Sequence, residues 1–127
     1  VRREEKRLDL TSSLEDYLKA VLVLYQQNGY VRCVDVAEHL DVSKPSVSRA
    51  MKELIQSGHI VKEASGELSL TARGRDLAEQ IYEKHQFFAV QLMEVGVSPE
   101  VADQEACKME HGISEESFQK LKKVQKS

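Results

Sequence analysis

The stretch VDVAEHLDVSKPSVSRAMKELIQSGHI, residues 34–60, decides the fold. It holds two amphipathic segments joined by the short connection DVSK. The second segment has Ser43 as an N-cap candidate and Pro45 in its first turn. Apolar residues repeat at helical spacing on both sides of the connection. A short helix, a turn and another helix in this order predict a helix-turn-helix.

The flanking segments extend this pattern to a winged helix. Residues 11–30, TSSLEDYLKAVLVLYQQNGY, predict a helix that begins at a run of capping residues and ends at Gly29. Residues 59–71, HIVKEASGELSLT, alternate apolar and polar positions around a turn and predict a two-stranded hairpin, the wing. The small core that we expect between the helices consists of Val36, Ala37, Leu40, Val42, Val47 and Leu54.

Three more helices are predicted after the hairpin. ARGRDLAEQIYEKHQFFAVQLMEVG, residues 72–96, is a long helix capped by Thr71, and SPEVADQEACKMEHGI, residues 98–113, opens the next at Ser98-Pro99. Ser114 caps a last helix. The predicted fold class is therefore mainly α with a small β-hairpin wing. A winged helix-turn-helix for DNA binding, residues 1–72, precedes a helical domain, residues 73–127.

Composition bounds the functions that this fold could serve. The chain has 127 residues, of which 41% are hydrophobic and 31% charged, so a soluble globular protein is expected. No apolar run is long enough to span a membrane, and the start VRREEKRLDL lacks the apolar core of a signal peptide, so we expect a cytoplasmic protein without a membrane partner. Two cysteines make no disulfide framework.

The third predicted helix carries the candidate DNA-reading face. Its net charge of −3 gives the chain no general attraction to nucleic acid, but no acidic residue occurs from Val42 to Lys52. Arginine and lysine can reach guanine edges or phosphates, and short hydroxyls allow a close approach to the major groove. The alternative is an ordinary capped amphipathic helix. The candidate DNA-binding residues are Lys44, Pro45, Ser46, Ser48, Arg49 and Lys52.

The segment EACKMEH, residues 105–111, carries a candidate metal site. Cys107, Glu110 and His111 are spaced i, i+3 and i+4, which puts them on one face of a helix. Asp16, in the first turn of the first helix, could supply a further ligand. Mixed thiolate, carboxylate and imidazole donors suit Mn²⁺, Fe²⁺, Co²⁺, Ni²⁺ or Zn²⁺. The alternative is a buried cysteine beside a surface ion pair; His85, taken alone, is more often a core residue.

These stretches, with LEDYLKAVLVL, LSLTARGRDLAEQIYEKH and EACKMEHGIS, resemble the diphtheria toxin repressor and manganese transport regulator family of metal-dependent transcriptional repressors. The chain looks like the short form, without a C-terminal SH3-like domain. The resemblance implies a homodimer that binds operator DNA when loaded with Mn²⁺ or Fe²⁺, and a helical domain for metal binding and dimerisation. It matches Asp16, Cys107, Glu110 and His111 to a primary metal site, and His85 to a ligand of a neighbouring site.

Several positions depart from the family pattern. Lys19 stands where the manganese branch has a glutamate, and Cys107 is typical of the iron branch, whereas Asp16 is typical of the manganese branch. Ala89 and Asp103 replace a glutamate and a histidine of the iron branch. The resemblance therefore implies a hybrid primary site and a reduced second one.

Three other classes of function remain to be weighed. An enzyme is disfavoured because Cys107 and His111 share one helix with no third catalytic group or glycine-rich oxyanion loop. A winged-helix DNA-binding dimer that responds to no metal is the principal alternative. A protein-interaction module that uses its helices without DNA is another.

Overall fold

The structure, a computed structural model, describes residues 10–126. The charged segment from Val1 to Asp9, which makes up most of the N-terminal stretch assessed above for a signal peptide, lies outside the described residues, as does Ser127. The described part of the chain contains six helices and one antiparallel hairpin, which confirms the predicted fold class. No helix in residues 10–126 has the length and apolar character needed to cross a membrane.

The chain divides into two compact units, an N-terminal unit ending at Glu79 and a C-terminal unit beginning at Gln80. The division falls inside one long helix, α4, which spans Ala72–Glu94. The functional boundary expected after residue 72 stays a prediction.

The N-terminal unit is built from three helices and the hairpin. They are α1 (Ser12–Asn28), α2 (Cys33–Leu40), α3 (Lys44–Gln56), β1 (Ile60–Lys62) and β2 (Leu68–Leu70). The predicted caps are present: Thr11 and Ser43 accept hydrogen bonds from the backbone N–H groups of Leu14 and Ser46. Gly29 ends α1 in the left-handed conformation. The first β pair places Ile60 opposite Leu70.

The turn between α2 and α3 differs from the prediction at one position. Asp41 has a positive φ of 55°, and the following N–H of Val42 bonds back to the carbonyl of Ala37 at 3.0 Å. This turn carries the Val42 side chain outward, where it is 38% exposed. The prediction that Val42 belongs to the core is therefore wrong, whereas Val36, Val47 and Leu54 are fully buried as expected.

Backbone contacts fasten the hairpin to its neighbours. The N–H of Leu68 donates to the carbonyl of Val31 at 2.7 Å, and the guanidinium of Arg32 donates to the carbonyl of Ser65 in the hairpin turn at 2.7 Å. At the other end, Gly74 of α4 lies so close to the chain at His59 that a Cβ there would stand 1.9 Å from the His59 carbonyl oxygen. These contacts fix the wing beside α2 and the start of α4.

The C-terminal unit contains the rest of α4, then α5 (Pro99–Glu110) and α6 (Glu115–Lys126). An aromatic cluster of Phe87, Phe88 and Phe118 forms its core, with ring centroids 5.3 to 6.1 Å apart. Helix α5 ends at Glu110 with His111 as its C-cap, three residues earlier than the segment that we expected to be helical. His111 nevertheless keeps a right-handed helical conformation, so the predicted spacing still applies to it.

Candidate metal centre and nucleic-acid interface

The outer face of α3 presents the predicted DNA-reading side chains to solvent. Lys44, Pro45, Ser48, Arg49 and Lys52 are exposed, while Val47, Ala50, Met51 and Leu54 on the opposite face are buried. Helix periodicity and burial thus agree, because the residues free to contact a ligand are those that do not pack against the unit.

Ser46 has a different role from its exposed neighbours. It is half-buried, its hydroxyl lies 2.9 Å from that of the cap residue Ser43, and the Arg49 guanidinium approaches it at 3.4 Å. The Ser46 hydroxyl therefore stabilises the first turn of α3 and orients Arg49 in the free chain.

A groove of about 240 Å³ separates α3 from the hairpin. Lys52 of α3 and Lys62 of β1 both line it, and Ser48 and Gln56 add polar groups. Lys62 was noted in the sequence as the single basic residue of the wing but was not assigned to the site. The hairpin brings it beside α3, where two cations border one groove of the size of a backbone phosphate and its sugar.

The end of α5 brings together three donors of different chemistry. Cys107, Glu110 and His111 each offer one ligand atom, and these atoms lie within 4.8 Å of one another. The Glu110 carboxylate is fully buried and its Oε2 lies 3.4 Å from Nε2 of His111. Cys107 is a free, half-buried thiol. The alternative of a surface ion pair beside a buried cysteine fails here, because the carboxylate is not at the surface.

Burial of Glu110 matters for its chemistry. An ionised carboxylate without water needs donors or a cation close to its oxygens. Glu110 Oε1 lies 2.8 Å from Nδ1 of His85, and His111 faces Oε2. The buried position therefore suits a group that binds a cation rather than one that interacts with solvent.

His85 projects from α4 into the same part of the C-terminal unit, and its side chain is 12% exposed. Its Nδ1 contacts Glu110, and its Nε2 lies 2.7 Å from Oδ1 of Asp103 on α5. The prediction placed His85 on the apolar side of its helix, and the structure places it half-buried and hydrogen-bonded. Asp103, which the sequence comparison treated as the replacement of a family histidine, is its second carboxylate partner.

The remaining predicted ligand belongs to the other unit. Asp16 lies in the second turn of α1, where its side chain is half-buried. It sits next to the buried Tyr17 and Leu18, so its carboxylate is held by a well-packed helix rather than by a loop.

Two family models match the chain over nearly its whole length. Residues 9–67 match the iron dependent repressor N-terminal DNA-binding domain, and residues 71–126 match the iron dependent repressor metal-binding and dimerisation domain. The transcriptional regulator MntR of Escherichia coli is 38% identical over 116 residues, which cover 91% of this chain and 73% of that protein. The HTH-type transcriptional regulator MntR of Geobacillus kaustophilus is 32% identical over 104 residues, covering 82% and 74%.

Solved structures give the same answer at the level of the fold. The manganese regulator SloR is similar with a TM-score of 0.80 and 30% identity, over 89% of this chain and 53% of that one. The metal-dependent transcriptional regulator MtsR reaches 0.82 with 32% identity, over 92% and 55%. ScaR with bound Zn²⁺ reaches 0.72 with 29% identity, over 89% and 53%. The chain thus spans about half the length of these three solved chains. Together the matches show that it belongs to the iron-dependent repressor family, a family of transcriptional regulators and not of enzymes.

Proposed function

We propose that this chain is a metal-dependent transcriptional repressor that binds operator DNA as a homodimer when loaded with a divalent transition metal. The observation that carries the proposal is the convergence of a thiol, a buried carboxylate and an imidazole within 4.8 Å at the end of α5. Control of genes for metal-ion homeostasis follows from such a response.

The donor set fits a transition metal. Metal–nitrogen, metal–oxygen and metal–sulfur bonds of about 2.0 to 2.3 Å hold donors no more than roughly 4.6 Å apart, close to the separation present at Cys107, Glu110 and His111. Small side-chain rotations would close the remaining gap. Ligation requires the thiolate and the neutral imidazole, so metal affinity should fall at acidic pH.

We propose Asp16 as the fourth ligand, because it contributes a carboxylate from a rigid helix of the DNA-binding unit. With one ligand on α1 and three at the end of α5, metal binding would be linked to the state of the DNA-binding unit. A cation that prefers the DNA-competent form shifts the population toward that form by its difference in affinity.

The ligand chemistry favours Mn²⁺ or Fe²⁺ as the native metal, with Co²⁺, Ni²⁺ or Zn²⁺ able to bind in vitro. Carboxylate and imidazole suit manganese and ferrous iron, whereas the Cys107 thiolate shifts the preference toward iron and the later metals. The similar regulator ScaR has been crystallised with Zn²⁺ and with Cd²⁺, which supports a site tolerant of several cations.

The DNA and dimer parts of the proposal have separate support. The exposed residues Lys44, Ser48, Arg49 and Lys52 form a surface that could enter a major groove, with Lys62 reaching the flanking backbone. The C-terminal unit keeps large apolar side chains exposed, which is typical of an interface. They include Val90, Met93, Val101 and Leu121. A repressor of this kind would act in the cytoplasm.

The decisive experiment is a gel shift with the DNA upstream of the protein's own gene. We expect a shift with Mn²⁺ or Fe²⁺, reversal by EDTA, and no shift of a scrambled duplex. Binding of equal strength with and without metal would contradict the proposal and favour a winged-helix dimer that needs no cation.

A further inference from the structure

The contacts of His85 are not those of a residue waiting to bind a second metal ion. Each of its ring nitrogens lies within 2.8 Å of a carboxylate oxygen, Nδ1 at Glu110 and Nε2 at Asp103. Ionised carboxylates only accept hydrogen bonds, so each contact requires an N–H on the ring. A nitrogen that donates its N–H offers no lone pair to a metal, so ligation by His85 would require one of these contacts to be broken.

The neighbouring position on α4 also argues against a second cation. A ligand for a site beside His85 would be expected one helical turn away, at Ala89. Ala89 carries no donor, and it packs against the apolar cluster of Phe88, Ala106 and Phe118. Protein ligands for a second ion are therefore scarce on this face of α4.

The same contacts give His85 a different task. Glu110 is fully buried, and a carboxylate side chain can rotate unless its oxygens are held. His85 holds Oε1, which leaves Oε2 on the side of His111. Asp103, whose side chain is 73% exposed, fixes the ring from its other edge. Partners that orient a ligating group in this way commonly contribute 10- to 100-fold to metal affinity.

We propose that His85 is a positioning residue for the metal ligand Glu110, anchored by Asp103, and that the chain holds one metal ion rather than two. This inference depends on the proposed function, since it assumes that Glu110 binds a cation. It assigns to this chain a chain of contacts, Asp103 to His85 to Glu110, in place of a second site.

Calorimetric titration with Mn²⁺ and with Co²⁺ tests the inference on the full chain. We expect one ion per wild-type chain and a loss of affinity of about 10- to 100-fold in His85→Leu. His85→Asn keeps an N–H donor close to the position of Nδ1 and should recover most of that loss. Asp103→Asn should lose a smaller part, and Gln86→Ala, at an exposed position on the same helix, should match the wild type.

The visible spectrum of the Co²⁺ form supplies a readout that a merely structural role would not change. The d–d bands should shift in His85→Leu and return toward the wild-type position in His85→Asn, because the orientation of Glu110 is lost and regained. Circular dichroism identifies any variant that has not folded, and Asp103→Asn, altered at an exposed side chain, then still tests the anchor.

The outcomes separate the two proposals. A wild-type chain that binds no metal would refute the proposed function itself. Two ions per wild-type chain, reduced to one in His85→Leu with the tighter affinity unchanged, would overturn the inference and make His85 a ligand. Equal affinities and spectra in wild type and His85→Leu would overturn the inference alone.

Discussion

Helix α3 and the end of α5 solve opposite physical problems. On α3 the candidate functional side chains are exposed and the apolar ones are buried, so the helix packs through one face and would bind DNA through the other. At the end of α5 the central functional group, Glu110, is itself buried and hydrogen-bonded inside the C-terminal unit. The comparison teaches that the DNA-binding residues can change without disturbing the fold, whereas the metal-binding residues are also part of the interior.

Glu110→Ala should give the largest effect and break the comparison at its strongest point. Removal of a ligand should cost more metal affinity than the roughly 10- to 100-fold typical of outer-shell partners, so we expect metal-dependent operator binding to disappear. Calorimetry with Mn²⁺ and a gel shift measure both consequences, and circular dichroism checks that the fold is retained. Glu105→Ala, exposed on the same helix, is the matched control. An unchanged metal response would remove Glu110 from the site.

Arg49→Ala should give a smaller effect confined to DNA. Loss of one arginine contact typically costs about 1 to 3 kcal/mol of binding free energy, so operator affinity should fall by roughly 5- to 150-fold. Metal affinity and the melting temperature should match the wild type because Arg49 is exposed. Gln56→Ala, on the last turn of α3, is the control. Operator affinity equal to that of the wild type would show that α3 reads DNA through other residues.

The smallest effect concerns the pH dependence of stability. Burial of His59, with a smaller contribution from the nearby Arg73 guanidinium, lowers the pKa of His59 below its ordinary 6.5. As pH falls below about 6.5, the unfolded chain binds a proton that the folded chain does not, so the free energy of unfolding decreases. Above pH 6.5 this contribution to stability is fully present.

Urea denaturation in EDTA at pH 7.5 and pH 5.5 measures this difference without interference from metal. The wild type should lose more stability on acidification than His59→Gln, in which the titrating group is gone. An equal loss in both proteins would mean that other groups account for the acid sensitivity.

Much of the N-terminal unit could be predicted because its signals are local. Thr11 and Ser43 cap helices through atoms three residues away, and Gly29 ends α1 by its own conformational freedom. Val42 was assigned to the core because periodicity treats a short connection as a continuation of the helix. The positive φ of Asp41 resets the direction of the chain just before it.

The candidate site could be predicted only where its spacing is helical. Cys107, Glu110 and His111 lie within five residues, and the structure brings them together. The partners of His85 lie 18 and 25 residues further along the chain, and only the packing of α4 against α5 selects them. No periodicity distinguishes a histidine that binds a metal from one that donates to two carboxylates. Family resemblance predicted a ligand there, and that prediction remains to be tested against the positioning role.

The close approach of Gly74 to the His59 carbonyl bears on how variation in this chain should be interpreted. A saturation library at position 74 should return glycine alone among functional clones, although the position contributes no side chain to metal or DNA. Gly112, where a Cβ would meet no atom nearer than 3.9 Å, should accept alanine despite lying beside the proposed ligands. Mutational tolerance in this chain would therefore measure steric room and not distance from the chemistry.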